Sequence, residues 1–376
     1  MSDPGRSVSA PLPSATAPEF LATFALILLA IVAFLFLDEW LAKIDRDESR
    51  AHAANLYAEG RTLLATHDAD AASNRFASAV AIERTNTRYE VALAEAMLAD
   101  GRTEDADETL ESVLARAESD GAANLLMARV LVREGRRAEA KSFYHRAVYG
   151  RWGADSLAQR LSVRFELIDL LVREGAQAEL LAELLPLQDL PADSVALRRT
   201  VGRLFVAAGS PVRGADMLRD ILQRSPDDGI AYEGMGDAAL ALGNFRTARA
   251  DLAIASRLLP HDTSITERLA LVDTVLALDP MQRGIGERER AARSRVLLES
   301  TLGEIERCGG AAPTSATVDS ARLLLAPSAS PHAPSVDPDH MLALAAELWA
   351  ARPRRCPGAV SARERALAIL HARLAS

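Results

Sequence analysis

The sequence predicts an all-α fold in which helical hairpins follow one another along the chain, preceded by one hydrophobic helix. Three observations support this prediction. The 376 residues are 49% hydrophobic but only 5% aromatic, a composition that suits closely packed helices better than a β-sandwich. An uncharged run of 18 residues stands near the N-terminus, from Phe20 to Leu37. Glycines recur with spacings of 34, 40, 34 and 34 residues, at Gly101, Gly135, Gly175, Gly209 and Gly243.

The apolar run of residues 20–37 is long enough to cross a membrane. As an α-helix it would span about 27 Å, close to the hydrocarbon thickness of a bilayer, and Trp40 follows where an interfacial aromatic residue is expected. We therefore predict a disordered tail at 1–19, a single transmembrane helix at 20–40 and a juxtamembrane segment at 41–52. The alternatives are a cleaved signal peptide, whose apolar core is usually shorter, and a buried helix of a globular domain.

Two features bear on the side of the membrane that holds the C-terminal bulk, and they disagree. Three basic residues lie between positions 43 and 50 and only Arg6 precedes the span, which favours the cytoplasm by the positive-inside rule. The two cysteines, Cys308 and Cys356, are candidates for a disulfide, which would need an oxidising compartment. The alternative is two unrelated cysteines. The balance gives a slight preference for the extracytoplasmic side.

Each recurring glycine lies between two apolar-periodic segments of about a dozen residues, the pattern of a helix, a tight turn and a second helix. In the clearest unit, Ile230–Pro260, glycine or alanine occupies the positions where helices would approach closely. The residues that carry the pattern there are Gly236, Gly243, Ala248, Leu252, Ala255 and Pro260. On these residues the chain resembles the tetratricopeptide repeat (TPR) family.

The resemblance implies a right-handed α-solenoid superhelix over residues 53–280, with about six repeats and a partial seventh. The first unit has His67 where the turn glycine would stand. The fourth unit departs from the pattern in several ways: Ile168 and Leu180 replace its small residues, Pro186 interrupts its second helix, and six extra residues precede it. A seventh first helix, Thr263–Leu278, lacks a normal partner.

The chain after the array is predicted in three parts. Residues 281–308 are expected to form a capping helix that covers the last open face, with Val296, Leu297, Leu302 and Ile305 on its apolar side. Residues 309–338, rich in Gly, Ala, Pro and Ser, are expected to be a linker with at most a turn or two of helix. Residues 339–376 are expected to form a helical pair that begins after Asp337-Pro338.

Composition and missing motifs exclude several function classes. The net charge of −9 is a poor fit to nucleic-acid binding. The seven histidines are scattered, and the sequence contains no HExxH, CxxC, GxxxxGK[ST] or GxSxG motif. We therefore expect no enzymatic activity, no cofactor and no metal site.

In the TPR family, the first helices of the repeats line a concave groove that receives peptides. The corresponding side chains here suggest a basic centre with one aromatic residue, which could hold carboxylates through arginine forks. The candidate groove residues are Arg129, Arg133, Phe165, Arg173, Arg199 and Arg203. A protein or peptide partner with an acidic segment or a free C-terminus would fit them. The alternative is an inner surface that is simply solvated.

The function that these expectations favour is a membrane-anchored scaffold or adaptor, held in the lipid bilayer through residues 20–37 and working in a bacterial-type envelope complex. One alternative is a structural element that assembles by self-association. Another is a secreted soluble adaptor, if the N-terminal segment is cleaved.

Overall fold

The computed structural model describes residues 17–153, 156–191, 194–308, 315–326, 337–351 and 361–375. Within these ranges the chain forms seventeen α-helices and one 3-10 helix, and the only β-structure is an isolated bridge between Asp120 and Arg151. The all-α prediction is confirmed. The chain divides into two compact units, residues 1–167 and 168–376, which are described in turn.

The helices of the first unit form three successive hairpins, and a seventh helix crosses the boundary between the units. They are α1 Ala17–Ala65, α2 Ala69–Ile82, α3 Thr87–Ala99, α4 Thr103–Arg116, α5 Gly121–Arg133, α6 Arg137–Tyr149 and α7 Ser156–Glu174. The second unit continues with α8 Gln177–Leu184, α9 Val195–Ala207, α10 Pro211–Arg224, α11 Gly229–Ala241, α12 Phe245–Leu258, α13 Thr263–Leu278, α14 Glu287–Cys308, α15 Ser315–Leu325, α16 Pro338–Ala351 and α17 Ala362–Leu374.

Helix α1 runs without interruption through 49 residues, about 74 Å at the usual helical rise. The predicted span, the juxtamembrane segment and the first helix of the first hairpin are therefore one continuous helix. From Phe24 to Leu41 its apolar side chains are exposed; Phe34, for example, is 70% exposed. Further along, Ala53 and Leu56 are buried against α2 and α3.

The hairpins of the first unit pack by placing large side chains over small ones. Phe76 of α2 is fully buried beside Gly60 of α1, where an added Cβ would lie 2.6 Å from the phenyl ring. Such close approach is the reason that small residues recur at one position of each first helix. A second cluster, which includes Leu110, Leu131 and Ala140, joins α3 to α6 in the same way.

The turns within the hairpins have the expected left-handed residue. At the end of α3, Gly101 has φ +84°, the Arg102 N–H donates to the Met97 carbonyl at 2.9 Å, and the Gly101 N–H donates to the Leu98 carbonyl at 3.3 Å. This is the Schellman arrangement, which ends a helix and satisfies its last carbonyls. In the first hairpin His67 takes this position with φ +64°, as the sequence alignment of the repeats predicts.

The fourth hairpin departs from the others as expected. Helix α8 has only eight residues and gives way to a 3-10 turn, Leu185–Leu187. Pro186 lies in this turn; proline lacks an N–H and clashes with the carbonyl four residues earlier in an α-helix. The early end of α8 is therefore a local consequence of Pro186.

Helix α13, for which no neighbouring partner was predicted, is covered by the C-terminal helix α17. Leu367 and Leu370 of α17 are fully buried in one cluster with Ile265, Val272 and Val275 of α13. Helix α14 contributes Leu297 to this cluster but turns most of its apolar face to α15 and α16. The expectation that α14 alone caps the array is thus replaced by a cap built from α14 and α17.

The C-terminal segments differ from the sequence analysis in two further details. The predicted linker 309–338 contains an eleven-residue helix, α15, whose Ala321 is buried against α14 and α16. On α14, Leu297, Leu302 and Ile305 are buried as predicted, whereas Val296 is 38% exposed and Leu298 is buried in its place. Asp337 begins α16 as expected, accepting a hydrogen bond from the Asp339 N–H at 3.0 Å.

The proposed disulfide between Cys308 and Cys356 involves groups outside the described part of the molecule. Cys356 lies outside the described residues, and Cys308 is described only as the last residue of the α14 backbone. The disulfide, and the extracytoplasmic preference that depends on it, stay predictions.

Replacement of Ala248 by Leu should lower the stability of the second unit. Ala248 of α12 is fully buried in the cluster that holds α11, α12 and α13 together, so three extra carbons would overpack it, at a cost of about 1–3 kcal/mol. Thermal unfolding of the full-length chain in detergent micelles measures the effect. The matched control is Ala250→Leu, at an exposed position of the same helix; equal melting temperatures for the two variants would contradict the packing described.

Candidate functional site

The inner face of the first unit is formed by the first helices of its hairpins, and its arginines pair with groups of the protein itself. Arg61 of α1 lies 2.5 Å from Glu95 of α3. Arg129 of α5 donates two hydrogen bonds, of 2.5 and 3.0 Å, to the carboxylate of Glu166 on α7. Arg133 donates to the backbone carbonyl of Leu98. These contacts join one hairpin to the next.

The same arrangement continues in the second unit. Arg199 and Arg203 of α9 lie 3.2 and 3.3 Å from carboxylate oxygens of Asp228 and Glu233, at the start and in the middle of α11. Arg268 of α13 reaches back to α11, where it contacts Glu233 and Asp237. The second of these contacts measures 2.5 Å.

The predicted basic centre is therefore a series of arginine–carboxylate pairs. Four of the five arginines predicted for the groove contact a carboxylate, Arg173 through a 2.6 Å contact with Asp169 on its own helix, and Arg133 contacts a carbonyl. The aromatic candidate, Phe165, is half-buried on α7. The first unit contains Arg129, Arg133 and Phe165, and the second unit contains Arg173, Arg199 and Arg203.

Three residues of these pairs were missed at the level of sequence: Glu166, Asp228 and Arg268. A signal for them exists, because partners on successive first helices are separated by about one repeat. The separations are 37 residues for Arg129 and Glu166, 29 for Arg199 and Asp228, and 30 for Arg203 and Glu233. A search for opposite charges at this spacing would have found them.

The carboxyl of Asp237 on α11 is perturbed by its surroundings. Burial raises its pKa above the ordinary value, and the nearby carboxylate of Glu233 raises it further. The guanidinium of Arg268 acts in the opposite direction without cancelling the effect of burial. The side chain of Glu233 is only 5% exposed, so this part of the face holds two carboxylates that depend on Arg203 and Arg268 for compensation.

A hollow of about 350 Å³, the inner-face hollow, opens between α9 and α11. Its lining combines methyl groups with one cation and one carboxyl: Thr200, Arg203, Leu204, Val206, Ala207, Gly234 and Asp237. Gly234 cannot carry a side chain without displacing its neighbours, since an added Cβ would lie 2.7 Å from Leu218 and 3.1 Å from Arg203. The hollow is of a size that accepts one or two side chains of a bound peptide.

Among the described residues, no group of three or more His, Cys, Asp and Glu side chains is arranged to hold a metal ion. The paired charges and the inner-face hollow offer hydrogen bonds and an apolar contact surface, which is the chemistry of recognition.

Hairpins joined through such an inner face define an α-helical repeat protein. Residues 97–149, which extend from the end of α3 through α6, match the family model of the tetratricopeptide repeat. The resemblance to tetratricopeptide repeats seen in the sequence is thus supported over residues 97–149. No curated protein sequence matches the chain.

Several solved structures of TPR proteins are similar to this chain. The C-terminal part of a TPR protein from Cytophaga hutchinsonii is 12% identical, with a TM-score of 0.45, and the match covers 65% of this chain and 94% of that one. A TPR protein from Parabacteroides merdae is 13% identical, with a TM-score of 0.39 and coverages of 78% and 99%. YrrB, described as a TPR protein with an unusual peptide-binding site, is 17% identical, with a TM-score of 0.41 and coverages of 51% and 96%. Since all three TM-scores are below 0.5, we base no functional inference on them.

Proposed function

We propose that this protein is a non-enzymatic scaffold, anchored in a membrane by its N-terminal helix, that binds a protein or peptide partner on the inner face of its repeats. An envelope complex is the setting that we favour for it. The observation that carries the binding proposal is the inner-face hollow, where apolar side chains adjoin one cation, Arg203, and one carboxyl, Asp237, on the first helices.

The composition of the hollow supports a peptide as the ligand. Leu204 and Val206 offer apolar contacts, while Arg203 and Asp237 offer a donor and an acceptor on either side. A peptide needs this combination, because its side chains seek burial and its backbone needs hydrogen bonds. Most of the inner-face arginines already have carboxylate partners, so an acidic ligand that bound these arginines would have to displace those partners.

The exposed apolar part of α1 supports the anchoring. Within the described residues, α1 is the one helix long and apolar enough to cross a membrane, and none of its apolar window is buried. A helix that is hydrophobic on all sides needs either a protein core or lipid around it. In the described part of the chain no protein core covers this apolar part of α1. In a membrane, lipid would surround it instead.

The binding proposal is tested by filling the hollow. Ala207→Trp places an indole at an exposed lining position at the end of α9. Partners captured by photo-cross-linking of the full-length chain in native membranes should be lost from this variant. Ala250→Trp is the matched control, since Ala250 is an exposed alanine of α12 outside the hollow, and it should capture the wild-type set.

The same comparison separates the proposal from its rivals. Equal capture by Ala207→Trp and Ala250→Trp would move the binding surface away from the inner face. Cross-links only between copies of this chain would instead favour the self-associating assembly element.

A further inference from the structure

A second and larger cavity, the C-terminal pocket, lies next to the inner-face hollow in the second unit, and Asp237 lines both. Its volume is about 950 Å³, and its walls are the turn between α11 and α12, the loop that follows α13 and the last turn of α17. These three parts are distant in sequence: Arg373 of α17 pairs with Asp279, 94 residues earlier. The pocket exists because α17 returns to cover α13.

One wall of the pocket contains an ion pair beside an aromatic ring, with its carboxylate buried and its guanidinium partly exposed. Asp279 is 1% exposed; its Oδ2 accepts a hydrogen bond from Arg373 at 2.8 Å, and its Oδ1 accepts one from the Met281 N–H at 2.9 Å. The Arg373 guanidinium also lies over Phe245, 5.3 Å from the ring centroid. Both oxygens of Asp279 are occupied, so its charge is compensated within the protein.

The loop after α13 is held in a shape that turns donors to the cavity. Arg293 donates to the Asp279 carbonyl at 3.2 Å and to the side-chain oxygen of Gln282 at 2.6 Å. Because that oxygen accepts a bond from Arg293, the hydrogen-bonding groups that the Gln282 amide could present to a ligand are its N–H donors. Arg246 donates to the Arg283 carbonyl at 3.0 Å, which brings the two arginines to the same rim.

The charges around the pocket do not balance. Two carboxyls line it, and each has an arginine partner: Asp279 has Arg373, and Asp237 has Arg268 at 2.5 Å. Arg246 and Arg283 have no carboxylate partner within the described part of the chain, and both are exposed. These two guanidiniums differ in this respect from the inner-face arginines, most of which are paired with carboxylates.

We propose that the C-terminal pocket binds the carboxylate of a partner peptide, with Arg246 and Arg283 as its cationic rim. This inference rests on the proposed function, since it names the chemistry of a partner that the scaffold binds. A bare inorganic anion would leave most of 950 Å³ unfilled. The wall also presents Leu242, Leu276 and Ile369, which fit an apolar side chain next to the carboxylate. An arginine fork is the side chain best shaped for a carboxylate.

The probes for the test are three fluorescein-labelled peptide pools, each with randomised residues before a C-terminal leucine. One pool ends in a free carboxylate and another in an amide, and a third, amidated pool carries glutamate before the leucine. Fluorescence anisotropy with the full-length protein in detergent micelles should show that the free-carboxylate pool binds at least about tenfold more tightly than the plain amide, the difference expected for charge-assisted hydrogen bonds. Binding of the third pool would assign the site to an acidic side chain.

The double variant Arg246→Gln with Arg283→Gln should lose this preference, with affinity reduced about tenfold or more. The matched control is Arg257→Gln, because Arg257 is exposed on α12 and lies outside the pocket. Equal binding of the free-carboxylate and plain amide pools, or an unchanged affinity of the double variant, would overturn the proposal.

A cross-linking measurement does not depend on the folding of any variant. A benzophenone placed before the C-terminal leucine of the free-carboxylate pool should mark residues 369–373 of α17 or the turn near Leu242. Marks confined to α9 and the inner-face hollow would overturn the pocket and leave the proposed function standing. Failure of every pool to bind would also overturn the pocket. If Ala207→Trp lost the native partners in the same set of experiments, the proposed function would stand.

Discussion

Replacing Leu367 by Asp is expected to detach the C-terminal helix and destabilise the last repeats, with a loss of about 4 kcal/mol or more. Leu367 is fully buried between α17 and α13. The substitution removes a buried aliphatic side chain, and it leaves a carboxylate with no partner in an apolar cluster. In a repeat array each unit is stabilised mainly by its neighbours, so uncovering α13 should also weaken α11 and α12.

Two measurements on the full-length chain in detergent micelles detect this result. Thermal unfolding should begin at a lower temperature, and amide hydrogen exchange should lose protection in α13 before it does so in the first unit. The matched control is Ala368→Asp, which adds the same charge at the next residue, on the exposed side of α17. If Leu367→Asp kept the exchange pattern of the control, α17 would not be the cover of the array.

The hairpins were predictable because their signals are local. A glycine that ends one helix, as Gly243 does, and a small residue that admits a large one, as Gly236 admits Leu252, recur at a fixed period. The early end of the second helix of the fourth unit could be predicted from Pro186 for the same reason. Such features depend on the backbone and on close neighbours in sequence.

The C-terminal cap was less predictable because its contacts join distant parts of the chain. The pairing of Arg373 with Asp279 spans 94 residues, and no pattern in either segment marks the other. The apolar stripe of α14 illustrates a second cause. Val296 and Leu298 are both apolar, and the position of α16 decides which of them is buried.

In the candidate site, too, local features were predictable from the sequence and contacts between helices were not. The arginines of the first helices were found from the repeat pattern, whereas their partners depend on the offset between successive helices. Arg129 reaches Glu166 and Arg203 reaches Glu233, at separations of 37 and 30 residues, and this difference follows the irregular spacing of the repeats. The chemistry of the face therefore changed from a free basic surface to mostly paired charges, whereas Arg246 and Arg283 at the C-terminal pocket have no carboxylate partner within the described residues.

The continuity of α1 gives the proposed anchor a structural consequence. The apolar part of the helix and the residues that pack the first hairpin, such as Ala53 and Leu56, belong to one uninterrupted helix. The intervening segment contains several charged residues, and its Arg50 lies 3.6 Å from Glu83, the residue that follows α2. A membrane that held residues 20–37 would thus hold the first hairpin through a helical connection, without a flexible linker between them.

The double variant Leu28→Arg with Ile31→Arg is expected to release the protein from membranes. Both residues lie near the centre of the apolar run and are exposed on α1. An arginine at the centre of a membrane helix raises the free energy of insertion by about 2.5–3.5 kcal/mol, so two of them should shift the equilibrium by a factor on the order of 10⁴. Alkaline carbonate extraction followed by flotation measures the retained fraction, which should be nearly complete for wild type and small for the variant.

The matched control uses the same residue types at the same spacing on the same helix. Leu41→Arg with Ile44→Arg lies beyond Trp40, where arginine side chains can extend to the headgroups at little cost, and it should remain in the membrane fraction. Release of both double variants would point to loss of folding instead of loss of insertion. If wild-type protein were itself soluble, with a mature N-terminus near residues 40–48 by mass spectrometry, α1 would be a cleaved signal and the secreted adaptor would replace the anchored scaffold.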